Sequence, residues 1–108
     1  MIVLDTHVII WDALTPEKLS KQAKKSIELA NKEDGIIFCD ISLWEIAMLI
    51  KKERLKIESG YQDFINLVLN ANKYIVYNIT PEIAELSVDF PDSINKDPAD
   101  RILSAFSY

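Results

Sequence analysis

The stretch "GIIFCDISLWEIAMLIKKER", residues 35–54, decides the fold. "IIFC", residues 36–39, is a short unbroken apolar run after a glycine break. It reads as a strand buried on both faces. Ser42 and Glu45 then form S-x-x-E ahead of a second apolar run, a spacing that predicts a helix opened by a capping box. Ile46, Leu49 and Ile50 recur at helical spacing and face inward. "KKER" closes the segment with cations suited to a helix C-terminus. A continuously apolar strand feeding straight into a helix is the building unit of a parallel sheet.

Outward from this unit the pattern repeats. "MIVLD", residues 1–5, is another buried strand, and "HVIIWDAL", residues 7–14, is a short helix before Pro16. Residues 16–31 carry Leu19, Ala23, Ile27 and Ala30 on one face, with lysines on the other. Thr15 as N-cap and Pro16 at the first helical position give that helix its start. Phe64, Ile65, Val68 and Leu69 mark a helix over 61–72. "YIVYNI", residues 74–79, is the third strand. "TPEIAELSV", residues 80–88, is a helix capped by Thr80 with Pro81 at its first position. A loop over 89–96 leads to a last helix opened by Asp97 and Pro98, with Ile102, Leu103 and Phe106 inward. This alternation predicts an α/β, Rossmann-like three-layer fold, a central parallel sheet flanked by helices. With 108 residues, 49% of them apolar, the chain suffices for one domain over 1–108 with a real core.

The single cysteine, Cys39, cannot form an internal disulfide, which points to a reducing compartment. Set within "GIIFC", it reads as a small buried hydrophobe rather than a nucleophile. No stretch is long or apolar enough to span a membrane, and "MIVLD" has no basic region before it, so a cytoplasmic location is expected. A net charge of −5, from 12 basic and 17 acidic residues, argues against a broadly basic nucleic-acid surface. The charge is uneven, however. Lys18, Lys21, Lys24, Lys25 and Lys32 crowd one segment, and Lys51, Lys52, Arg54 and Lys56 another. Such strips are usually solvated helix faces, yet they can also hold a phosphate backbone.

In a parallel sheet the C-terminal ends of the strands share one edge with the N-termini of the following helices, and ligands bind there. Asp5 ends the first strand, Glu45 falls in the first turn of the helix after the second, and Asp100 in the first turn of the last helix. Each has a structural explanation when taken singly: a cap, the returning half of a capping box, an acid favoured by a helix dipole. Together they form a cluster of repelling carboxylates, and helix dipoles offset only about 1 kcal/mol each. A divalent cation resolves the conflict. Hard Mg²⁺ or Mn²⁺ takes oxygen ligands and suits hydrolysis of a phosphodiester. Other chemistries fit poorly. There is no second acid two residues after Asp5 (the position is His7), no glycine-rich phosphate loop, and too few Cys and His for a structural zinc site. Trp11 and Trp44 could stack on bases, although packing is the commoner role.

"MIVLDTHVIIW", "ISLWEIAMLIKKERLKI" and "KDPADRILSA" occur in the order and at the approximate distances seen in PIN-domain proteins. The chain most resembles VapC-type toxins of toxin–antitoxin pairs over essentially its whole length. The resemblance implies a Mg²⁺- or Mn²⁺-dependent endoribonuclease of RNA, neutralised by a cognate VapB-type antitoxin and often a homodimer. Asp5, Glu45 and Asp100 match the family's acidic metal ligands. Asp97 is then mainly a helix cap, and Arg101 a structural or phosphate-side partner. Thr6 and His7 join Asp97 and Arg101 as auxiliary candidates; Lys51, Lys52 and Arg54 are candidates for RNA contact. The resembled fold continues past this last helix into a further strand beside the first, with a fourth acidic position. The expectation is therefore a C-terminally truncated domain that lacks its last strand and associates with itself. The competing reading is an inactive remnant that binds an antitoxin or another copy. A phosphate-signalling receiver domain would need paired acids after the first strand and a C-terminal lysine, and neither is present.

Overall fold

Two-residue periodicity is absent from the central strand because both its faces are covered: Ile36, Phe38 and Cys39 are fully buried and Ile37 is half-buried. The computed structural model describes residues 2–89. Its elements run β1 (Ile2–Val3), α1 (Thr6–Leu14), a 3₁₀ turn (Pro16–Lys18), α2 (Lys21–Lys32), β2 (Ile36–Cys39), α3 (Asp40–Lys51), α4 (Tyr61–Ala71), β3 (Tyr74–Tyr77) and α5 (Pro81–Asp89). The three strands form a parallel sheet in the order β1-β2-β3, with Ile2 opposite Ile36 and Ile36 opposite Tyr74. This is the α/β architecture expected of the sequence. α2 and α3 pack against β2, while α1, α3 and α4 pack on one another. The core gathers Ile9, Ile27, Phe38, Ile46, Phe64 and Val68. The Phe38 ring meets Tyr74 edge-on at 5.4 Å, a favoured aromatic geometry. β3 is less covered than expected: Ile75, Val76 and Tyr77 are exposed, because β3 lies at the margin of the described sheet.

Two helix starts differ from the sequence-based expectation. The helix expected from Pro16 is divided. Thr15 makes no side-chain cap bond, Leu19 is extended and buried, and Ser20 caps α2 by accepting from the Ala23 amide at 3.0 Å. Burying Leu19 requires the break, and Ser20 is the better-placed cap. α3 begins at Asp40, with Cys39 at the N-cap position and no side-chain cap bond. Ser42 therefore lies inside the helix and Glu45 in its second turn, so the expected capping box does not form. Ser42 is fully buried and its hydroxyl has a tertiary partner instead. Thr80 does cap α5, accepting from the Ile83 amide at 3.2 Å, with Pro81 in first place as expected. The loop and helix expected beyond residue 89, with Asp97, Ile102, Leu103 and Phe106, lie outside the described residues.

α3 ends in a Schellman turn. The Glu53 amide donates to the Ile50 carbonyl at 3.1 Å and the Arg54 amide to Leu49 at 2.9 Å. Glu53 itself is left-handed, with φ 58°. Glycine usually fills this position, and a side chain there costs about 1 kcal/mol. The turn reverses the chain, so that Arg54, Leu55 and Lys56 return along α3.

At the opposite edge of the sheet, amides form a clasp. The Asn72 side chain donates to Asp12 at 2.7 Å and accepts from Asn31 at 2.8 Å; Asn31 in turn accepts from the Lys73 amide at 2.8 Å. The ends of α1 and α2 are thereby tied to the start of β3. Nearby Gly35 has φ 97°, and a Cβ there would sit 2.8 Å from the Lys73 carbonyl oxygen. That oxygen already accepts from the Ile36 amide at 2.9 Å and has no room to retreat.

Candidate active site

Chain direction places the ends of β1 and β2 at one edge, and both lead directly into helices. After β1 and buried Leu4, Asp5 is exposed and extended. Its Oδ1 accepts from the His7 amide at 2.8 Å and the Val8 amide at 3.2 Å, capping α1. Among the described residues Oδ2 carries no hydrogen bond. One oxygen thus serves the helix and the other is left over, so the structural and ligand roles of Asp5 are compatible.

Thr6 carries the link between the first two acid-bearing segments. It is almost completely buried, and its hydroxyl donates to the Glu45 carboxylate. The same oxygen lies 2.8 Å from the Ser42 hydroxyl. A carboxylate only accepts, and Thr6 has a single proton to give. Ser42 must therefore donate to Thr6, so the chain of bonds runs Ser42 to Thr6 to Glu45. The structure thus joins the residue beside Asp5 to Glu45, across 39 positions of sequence. The fixed direction of the bonds orients Glu45 as an acceptor.

Asp40 is an acid that the sequence reading passed over, although it follows an apolar strand just as Asp5 does. Its Oδ2 accepts from the Ile79 amide at 3.2 Å, which ties the exit of β3 to the exit of β2. Its Oδ1 accepts weakly from the Cys39 thiol at 3.8 Å. The other expected acid, Asp100, lies outside the described residues, together with Asp97 and Arg101. Among the described residues no group of three or more His, Cys, Asp and Glu is arranged to hold a metal ion.

Cys39 is inert, as its setting in the sequence suggests. Burial, reinforced by the negative charges of Asp40 and Glu45 and only partly opposed by the Ile41 amide, pushes its thiol from 9.0 up to about 11. The unfolded chain ionises this thiol near its ordinary value while the folded chain keeps it neutral. Its contribution to stability is then complete below about pH 9 and lost as pH rises through the folded value. Tyr61 and Tyr74 are also raised by burial and act in the same direction. We expect the urea midpoint to fall between about pH 8 and about pH 10.5, by up to about 2 kcal/mol of stability from Cys39 alone. A Cys39→Ala chain should show a shallower fall; equal slopes for the two chains would contradict the assignment.

From the edge a groove of about 740 Å³ extends between α1 and α3. His7 and Glu45 lie on its lining, as do Trp11 and Trp44. His7 is exposed, and its ring centroid lies 6.2 Å from that of Trp11. Lys52 and Arg54, expected near RNA, line this groove, and so do Lys18 and Lys56. Lys51 is exposed but is not part of the lining. Trp11 packs against the core, whereas Trp44 is 58% exposed.

The family model of the PIN domain matches residues 2–108 of the chain. Ribonuclease VapC22 of Mycobacterium tuberculosis is 33% identical to it over 104 residues, which cover 96% of this chain and 76% of that protein. No solved structure gives a significant match.

Proposed function

Because the chain belongs to the PIN-domain family, we propose that it is a VapC-type toxin ribonuclease: a Mg²⁺- or Mn²⁺-dependent endonuclease of RNA, held in check by a VapB-type antitoxin. The observation that carries this reading is the bridge from Thr6 to Glu45. It brings the end of β1, with Asp5, to the acid of α3, as the proposed activity requires. Asp5 and Glu45 offer carboxylate oxygens, and the Thr6 and Ser42 hydroxyls stand behind Glu45; oxygen ligands of this kind fit a hard divalent ion. Asp5, Glu45 and Asp100 would hold the ion, which when bound supplies polarisation of the phosphate and activation of water. Asp5 is held in place by the two amides it caps. Thr6, itself fixed by Ser42, keeps a Glu45 oxygen from rotating away. His7 stands at the mouth of the groove, where it can donate to a phosphate oxygen. Asp97, Arg101 and Lys51 stay in the proposal as auxiliary residues.

A single domain, a cytoplasmic location and self-association belong to the same proposal. No helix of the described residues is long and apolar enough to cross a membrane. β1 lies at the margin of the described sheet, and self-association would pair such a strand with a second copy.

The test is cleavage of single-stranded RNA by this chain with Mn²⁺ or Mg²⁺, repeated in excess EDTA. Cleavage should need the added metal and stop in the chelator. Activity that persists in EDTA would remove the metal mechanism. A chain that binds an antitoxin yet cleaves nothing under any metal would be a binding module instead.

A further inference from the structure

We propose that the groove between α1 and α3 is a track for single-stranded nucleic acid, in which Trp44 is a platform for an unpaired base. The inference deepens the nuclease reading and rests on it. Trp44 immediately precedes Glu45 on α3, and both line the groove. A ring 58% exposed in a fold that buries Phe38 completely is not there for the core. Its flat apolar face sits one residue from the acid assigned to cleavage. Trp11 and Met48 continue the apolar lining.

The lining chooses the occupant. Lys18, Lys52, Arg54 and Lys56 all belong to it, and all four are exposed. Among the described residues of the lining, Glu45 is the one acid. A described lining that carries Lys18, Lys52, Arg54 and Lys56, in a chain of net charge −5, gathers positive charge suited to a polyanion. The Schellman turn is what delivers the far part of this charge. With Glu53 left-handed, the chain doubles back and sets Arg54 and Lys56 along the groove. An extended exit from α3 would carry them away from it.

Cations and open aromatic faces together favour unpaired strands over duplex. Bases in a duplex are stacked on one another and offer no face to a tryptophan, while a single strand offers one base face per nucleotide. Stacking is tolerant of base identity, so Trp44 sets strandedness and register rather than a particular sequence. An acidic amphipathic peptide is the rival occupant, and the experiment separates the two.

The measurement is equilibrium binding in EDTA, where cleavage does not interfere, with three probes of equal length: a single-stranded RNA oligonucleotide, its duplex, and an abasic strand that keeps the phosphates. The parent chain should prefer the single strand. Trp44→Ala should weaken single-strand binding by about fivefold or more and leave abasic binding unchanged, with Trp44→Phe restoring most of the loss. Lys52→Ala combined with Lys56→Ala should weaken all three probes alike and lower the salt slope by about 2. Equal single-strand affinity for the parent and Trp44→Ala chains would overturn the proposal and leave the groove to a protein segment. So would a duplex bound as tightly as the single strand. The nuclease reading fails on a different result, the absence of metal-dependent cleavage, so either can fall without the other.

Discussion

Exchanging Glu45 for glutamine should reduce RNA cleavage by at least about 100-fold in a chain that still folds. The substitution keeps shape and keeps an acceptor for the Thr6 hydroxyl, so the hydrogen bond that holds the side chain survives. What disappears is the negative charge, which the proposed metal requires. Groups that merely orient a ligand typically cost 10–100-fold when removed, and a direct ligand should cost more. Thr6→Val provides the contrast. It should fall within that 10–100-fold range in activity or Mn²⁺ affinity, because Glu45 stays but loses its orienting donor. It should also cost about 1–3 kcal/mol of stability, because the fully buried Ser42 hydroxyl loses its partner. Thr6→Ser, which keeps the hydroxyl, should recover both. Cleavage rates and Mn²⁺ calorimetry on the three chains decide the matter. A glutamine variant that cleaves at the parent rate would remove Glu45 from the site.

Phe38→Ala should be the most damaging change to stability. Phe38 is fully exchanged from water into the centre of β2, where no surface can collapse to fill the space. Loss of a buried phenylalanine costs about 3–5 kcal/mol, a large part of the 5–15 kcal/mol that holds a typical domain together. The edge-on contact with Tyr74 is lost as well. Urea titration followed by tryptophan fluorescence gives the number, and a loss below about 1 kcal/mol would mean that the core is centred elsewhere.

The strands and most helices were legible because burial writes itself into hydrophobic spacing. Ile46, Phe64 and Val68 fall where the 3.6-residue period puts them, and the apolar run 36–39 is the central strand. The two misplaced helix starts have a common cause. Thr15 and Ser42 are both good local caps, and in neither case does local propensity decide. At Thr15 the burial of Leu19 moves the start to Ser20. At Ser42 a hydroxyl from another segment takes the place of the local amide. The same partner explains why the link between Thr6 and Glu45 could not be read in advance. Its ends are far apart in the chain, and no periodicity connects them. Trp44 illustrates the converse: its residue type favours burial, so its exposure emerged only once α3 had been oriented. For Asp5 the spacing carried both roles at once, cap and candidate ligand, and two oxygens on one carboxylate let both stand.

The clasp of Asp12, Asn31 and Asn72 bears on how long the folded chain lasts. Its bonds close separations of 41 and 60 residues, so they can form only after both crossovers have been laid down. Interactions that wait for the rest of the fold contribute little to the rate of assembly and act chiefly on the rate of coming apart. The lifetime of the folded chain is then governed in part at the end of the sheet opposite the acids. The fold is thus held together in part from the end remote from Asp5 and Glu45, and changes at those acids should leave that lifetime largely intact.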